Sequence, residues 1–241
     1  FKLNKDVFGF PIQWIPKNPR WQNYVDIWTQ IPLLTFVKNT VKITVVVTLL
    51  QLFTSSFAAY AFAKMQFKGK NALFLGYIAT IAVPWQAYMV PQFMMMSSWH
   101  LNNTHLAIMC LQAFSAFGVF LMKQFYEGVP TELCEAARID GLSEYGIWWH
   151  IMLPLSLPAL STLTIFTFVN TWNDFLGPLI YLTKTELKTI QIGLRMFISQ
   201  YSSDYGLIMA GSVLSLIPVL IVFLVLQKYF VEGVASTGLK G

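Results

Sequence analysis

From residue 43 onward, long apolar stretches alternate with short polar ones. Residues 43–63, 72–96, 105–122, 157–180 and 206–227 are each close to the roughly 20 apolar residues that a helix needs to cross a bilayer, and the pattern predicts five spans. Prolines punctuate them: Pro84 and Pro91 in the second, Pro158 and Pro178 near the ends of the fourth, Pro218 in the fifth. Proline is tolerated inside a span where neighbouring helices or water satisfy the carbonyls it frees. Residues 1–32 follow a different pattern. They are polar and aromatic, and Pro11, Pro16, Pro19 and Pro32 break any long helix, although Asn18-Pro19 can open a short one through Tyr24 and Trp28.

Between the third and fourth stretches lies the longest charge-bearing island, around Glu135-Ala136-Ala137-Arg138-Ile139-Asp140-Gly141. Pro130 pre-sets a first helical turn, and Gly141 suits the left-handed turn that ends a helix. Helical spacing puts Leu133, Ala136 and Ala137 on one face and Glu132, Glu135 and Arg138 on the other. Ser143 offers a cap to a second short helix, and Pro154 is expected to stop it. The predicted unit is a helix–Gly–helix elbow with a small, flat alanine face that another surface can approach closely. An amphipathic helix lying on a membrane would instead carry large apolar side chains.

Composition sharpens the membrane reading. The chain has 241 residues, 56% of them hydrophobic and only 11% charged, where soluble domains carry roughly 25%. Its net charge of +5 comes without a basic run interleaved with aromatics, so nucleic-acid binding gets no support. A weak pull toward acidic lipid headgroups is all that the excess implies. Cys110 lies inside an apolar run and Cys134 in the elbow, so both are expected to be free thiols. The chain opens on Phe1 with no signal peptide in view, so its numbering is expected to begin inside a longer protein, or its beginning is not shown.

The spacing Glu135-Ala136-Ala137, three residues, Gly141, nine residues, Ile151-x-Leu153-Pro154 resembles the cytoplasmic signature loop of permeases of ATP-binding-cassette importers, with every position filled. Tyr60-Ala61-Phe62-Ala63, Trp172-Asn173-Asp174-Phe175 and Tyr229-Phe230-Val231-Glu232-Gly233 extend the resemblance to the maltose-type, carbohydrate-uptake branch, as does the outer segment from Trp14 to Tyr24. The resemblance implies an all-α membrane protein with the type I ABC importer transmembrane fold. That family has six spans, so five are visible and one is expected upstream of Phe1. It implies an extracytoplasmic segment over 1–32 and a transmembrane permease domain over 33–241 with a coupling loop at 127–157. Through Glu135, Ala136, Ala137, Arg138, Asp140, Gly141, Ile151, Leu153 and Pro154 the elbow would dock on a separate ATPase.

The implied partners are two ATP-binding subunits carrying ATP and Mg, a second and different permease, an extracytoplasmic substrate-binding protein and membrane lipid. The implied location is the bacterial cytoplasmic membrane, with elbow and C-terminus inside. The charge count gives that orientation little help, since seven of the 16 Lys and Arg fall inside and nine outside. The short loop 64–70 alone, with three lysines, follows the positive-inside rule.

No nucleotide-binding loop is written in the chain: Gly69-Lys70-Asn71 lacks the upstream glycine spacing and the Ser/Thr. His100, His105 and His150 are scattered and distant from the cysteines, so no zinc site is expected. The informative intramembrane polar cluster is Asn170, Thr171, Trp172, Asn173 and Asp174. Such groups are costly in a membrane unless they face a partner or a wet cavity. Asn170, Asn173 and Asp174 are expected to line a passage, with Trp172 or Phe175 as a stacking face; capping the helix or bonding to a partner subunit is the alternative. Gln86, Tyr88 and Met94-Met95-Met96 are weaker candidates, since a methionine run is more often packing. The resemblance implies that the loop around Gln191, Arg195, Gln200 and Tyr201 meets a receptor, with a solvated loop as the alternative, and that the tail from Glu232 to Gly241 contacts an ATPase dimer, with a frayed terminus as the alternative. An ion-coupled carrier or channel is the rival reading, but the first three apolar stretches hold no acidic or basic group at mid-span.

Overall fold

A computed structural model describes residues 1–238 apart from 13, 17 and 199–203, and their side chains apart from those of Lys5 and 230–238. The spine of the fold is α2, Leu33–Lys64, a helix of 32 residues preceded by α1, Asn23–Gln30. No proline or glycine falls within α2, so nothing in its sequence interrupts the hydrogen-bond ladder. It begins ten residues earlier than the predicted span because Lys38 and Lys42 sit on its exposed face. Three buried clusters follow one another along it. Leu33 and Phe36 join Ile27 of α1 at its start, Ile43 and Val47 form the middle, and Ala59 and Tyr60 close its end. The aromatic segment over 1–32 is thus tied to the bundle through Ile27, while Phe10 and Trp14 stand 95% and 90% exposed.

Other predicted spans are broken in the structure. Residues 72–96 divide into α3, Lys70–Ala79, two 3₁₀ turns flanking Pro84, and α4, Met89–Ser98. The third stretch divides into α5, His105–Leu111, and α6, Ala116–Glu127, bent by 43° with no proline to announce it. After the elbow, α10, Leu157–Trp172, stops before α11, Leu176–Tyr181. The short α12, Ile190–Arg195, leads to α13, Tyr205–Gly238, which carries Pro218 without breaking. By length and composition, two helices among the described residues can cross a membrane alone, or up to four if each bent pair counts as one. Five continuous spans are therefore not what the backbone displays: polar residues at the breaks stop the helices inside apolar runs.

Helices α2, α6 and α10 meet where Gly118 leaves room. A Cβ there would collide with Ser55 Oγ and lie 3.2 Å from Leu163 Cδ1, the close approach that small residues permit in membrane bundles. Gly118→Val is expected to destabilise the bundle by about 1–3 kcal/mol through overpacking, read as a lower melting temperature in detergent by size-exclusion chromatography.

Candidate functional site

The elbow is built as α7, Glu132–Ile139, and α8, Glu144–Ile147, around Gly141. Gly141 has φ +85°. Its N–H donates to Arg138 O at 3.0 Å and that of Leu142 to Ala137 O at 3.0 Å, the paired bonds of a Schellman ending. Ser143 Oγ then accepts from Gly146 N at 3.2 Å and starts α8. Pro154 does not stop this second helix as expected. A π-turn over Trp148–Met152 intervenes, and Pro154 falls in the first turn of α9, Leu153–Leu155, where its missing N–H is not needed. The chain turns instead at Ser156, bending by 80° into α10.

The alanines divide between two faces. Ala137 turns inward with Cys134, three residues before it, whereas Leu133 and Ala136 lie on an exposed strip that ends near Ile139, 87% exposed. The expected shared face of Leu133, Ala136 and Ala137 is corrected to that extent: one helical step of 100° separates Ala136 from Ala137. Glu135, Arg138, Asp140, Gly141 and Pro154 are exposed, and Ile151 and Leu153 pack half-buried on the elbow core.

Residues outside the signature hold the elbow rigid. Arg138 Nε donates to Glu144 Oε1 at 2.6 Å and its Nη2 to Oε2 at 3.2 Å, a two-pronged pair that clamps α7 to α8. Tyr60 Oη donates to Glu144 Oε2 at 2.5 Å and so joins the clamp to the end of α2. Lys64 Nζ reaches Val129 O at 2.5 Å on the approach to the elbow. The Arg138 and Tyr60 bonds hold the Glu144 carboxyl below its usual range, and the same carboxylate raises Arg138. Trp148 is fully buried behind this clamp, edge-on to Phe53 and Phe57. Sequence reasoning missed Tyr60, Glu144 and Trp148 as a unit, since 84 residues separate the first two. Desolvation raises the buried Cys134 thiol; Cys110 is exposed, and both are free.

A cavity of about 720 Å³ opens where the broken helices face one another. Asn170 and Asp174 line it, with Thr167 and Thr171 from the same helix, Gln51 from α2, and Gln112 and Ser115 from the α5–α6 break. Trp85, Tyr88, Phe114, Phe117 and Phe166 supply aromatic walls. The polar residues brace the breaks: Gln51 Nε2 donates to Gln112 O at 2.7 Å, and Thr54 Oγ1 to Ala113 O at 2.8 Å. Gln112 Nε2 donates to Asp174 Oδ2 at 2.7 Å, while Asp174 Oδ1 accepts from Gly177 N at 3.1 Å. Carbonyls and amides freed at two helix breaks are thus satisfied by three side chains.

The other passage candidates lie elsewhere. Trp172 is 1% exposed and donates from Nε1 to Ser215 O of α13 at 2.9 Å, stacked on Phe168 rather than facing the cavity. Asn173 bonds Val169 O and meets Gln191 at 3.3 Å, and neither Asn173 nor Phe175 lines the cavity. The helix ends at Trp172, which rotates these side chains away from Asn170 and Asp174. Of the weaker candidates, Tyr88 lines the cavity and Met96 is core, while Gln86, Met94 and Met95 are exposed. Arg195 bonds Ile198 O at 3.1 Å. Gln200 and Tyr201 lie outside the described residues, as do the side chains of the tail from Glu232.

A helical membrane bundle with a stiff polar elbow and a polar cavity between broken helices defines a transport permease. Residues 23–236 match the family described as binding-protein-dependent transport system inner membrane component, and the chain belongs to that family. It is a permease subunit of an ABC importer with the type I transmembrane fold, which leaves the ion-coupled reading without support. It is 37% identical over 234 residues to the arabinooligosaccharides transport system permease protein AraQ of Halalkalibacterium halodurans, covering 97% of this chain and 84% of that one. It is 36% identical over 217 residues to the lactose transport system permease protein LacG of Rhizobium radiobacter, covering 90% and 80%. A crystal structure of a bacterial ABC transporter involved in the import of the acidic polysaccharide alginate superposes with a TM-score of 0.84 at 26% identity, covering 95% of this chain and 86% of that one.

Proposed function

We propose that this chain lines part of the passage for a sugar or oligosaccharide and takes its drive through the elbow from separate ATPase subunits, which carry the ATP and Mg. An extracytoplasmic binding protein delivers the substrate, a second and different permease completes the passage, and elbow and C-terminus lie on the cytoplasmic side of a bacterial inner membrane. One observation carries the coupling role. The inner face of α7 is locked into the bundle by Cys134 and Ala137, while its outer strip, Leu133, Ala136 and Ile139, is exposed with none of the described residues covering it. An apolar strip so rigidly backed suits a groove on a partner. The relatives' printed substrates, arabinooligosaccharides and lactose, support the sugar assignment, and the amide and aromatic walls of the cavity agree with it.

The test is Ala136→Glu in the importer assembled with its ATPases and binding protein in proteoliposomes. Import is expected to fall at least about tenfold, the effect of forcing an unpaired charge into an interface, while the permease stays in the membrane. Import at the normal rate with Glu at 136 would overturn the docking role.

A further inference from the structure

Resting on the sugar reading above, we infer that the cavity selects an uncharged sugar and rejects acidic ones, and that Asp174 sets that selectivity. Among the described residues the lining holds one charge, and it is negative: Asp174 is acidic, and no lysine, arginine or histidine accompanies it. Asp174 is fixed in place. Gln112 holds one oxygen at 2.7 Å, the Gly177 N–H holds the other at 3.1 Å, and Gln112 is itself held by Thr171 at 3.1 Å. A sugar acid against this wall would shed its hydration with no cation on the wall to replace it, beside a group of its own sign.

Neutral sugars meet a different reception. Among the described residues Asn170 has no side-chain hydrogen-bond partner, and Gln92 Oε1 accepts from Trp85 Nε1 at 2.7 Å, leaving its amide donors open. These groups suit hydroxyls, and the faces of Trp85, Tyr88 and Phe166 suit the apolar faces of sugar rings. The fold that this chain shares with an importer of an acidic polysaccharide therefore encloses, in this chain, a wall of the wrong sign for such a substrate.

The experiment titrates the assembled importer, in nanodiscs with its ATPases but without the binding protein, with arabinotriose and with trigalacturonate by calorimetry. Trigalacturonate is expected to bind at least about tenfold more weakly, as like charge at close range in a partly dry cavity requires. Asp174→Asn keeps an acceptor for Gly177 and should narrow that gap roughly fivefold or more. Gln92→Lys, away from the Asp174 network, adds a cation to the wall and should narrow it as well. Equal affinities in the unaltered importer, or a gap unmoved by both substitutions, overturn the inference and leave the sugar reading standing. If neither sugar binds, the sugar reading falls and takes this one with it.

Discussion

With Glu144→Ala, the importer is expected to keep hydrolysing ATP while moving less substrate, so that ATP consumed per sugar imported rises roughly fivefold or more, the factor that about 1 kcal/mol commands. Glu144 joins three elements: Arg138 on α7, its own helix α8, and Tyr60 at the end of α2. Truncation frees the guanidinium and strands the Tyr60 hydroxyl, on a residue 2% exposed, without its acceptor. The coupling ratio separates this from simple loss of folded protein, which lowers transport and hydrolysis together. Tyr60→Phe should reproduce much of the effect, because it cuts the link to α2 while sparing the Arg138 pair.

An unchanged ratio in both variants would remove Glu144 from the transmission path. Protonation does the same work as truncation, with a definite sign. Glu144 is depressed in the folded state, so its contribution is complete above the ordinary glutamate value of 4.5 and fades as pH falls through the depressed one. Arg138 is raised and stays charged throughout. Coupling through this clamp should therefore be flat across neutral pH and weaken only in acid.

Trp148→Ala is expected to have the largest effect on stability. Trp148 is 0% exposed at the centre of the cluster that holds Tyr60, Tyr126, Cys134 and Met152, and emptying such a site costs about 3–5 kcal/mol. For a chain of this size the melting temperature should drop by roughly 10 °C, measured by chromatography of heated samples. Trp149 is 50% exposed, and its alanine variant serves as the control, with little shift expected. Equal shifts for both tryptophans would show that the elbow core is not packed as described.

The elbow was readable from sequence because its determinants are local. Gly141 and Ser143 act within a few residues of themselves, and the structure gives them the left-handed turn and the cap that their chemistry predicts. What sequence could not reveal is held by long-range partners. Glu144 finds Tyr60 across 84 residues, and the α5–α6 break survives because Gln51 and Thr54 of α2 satisfy the carbonyls of Gln112 and Ala113. Without that rescue, an apolar run from His105 to Met122 reads as one unbroken helix. The polar cluster at 170–174 was visible as a cluster, but which members meet the cavity depends on where α10 ends. Asn170 and Asp174 do, while Trp172 is spent on Ser215.

Helix α2 meets the elbow through Tyr60, the cavity through Gln51 and the α5–α6 break through Thr54. Because it has no weak link in its sequence, it behaves as a stiff lever. A tilt of about 5° around one end of a 32-residue helix, ~48 Å long, sweeps the other through ~4 Å. A nudge at the Tyr60 end would then be felt most at Leu33 and Phe36, where α2 packs on Ile27 of α1 and on Ile190 and Leu194 of α12.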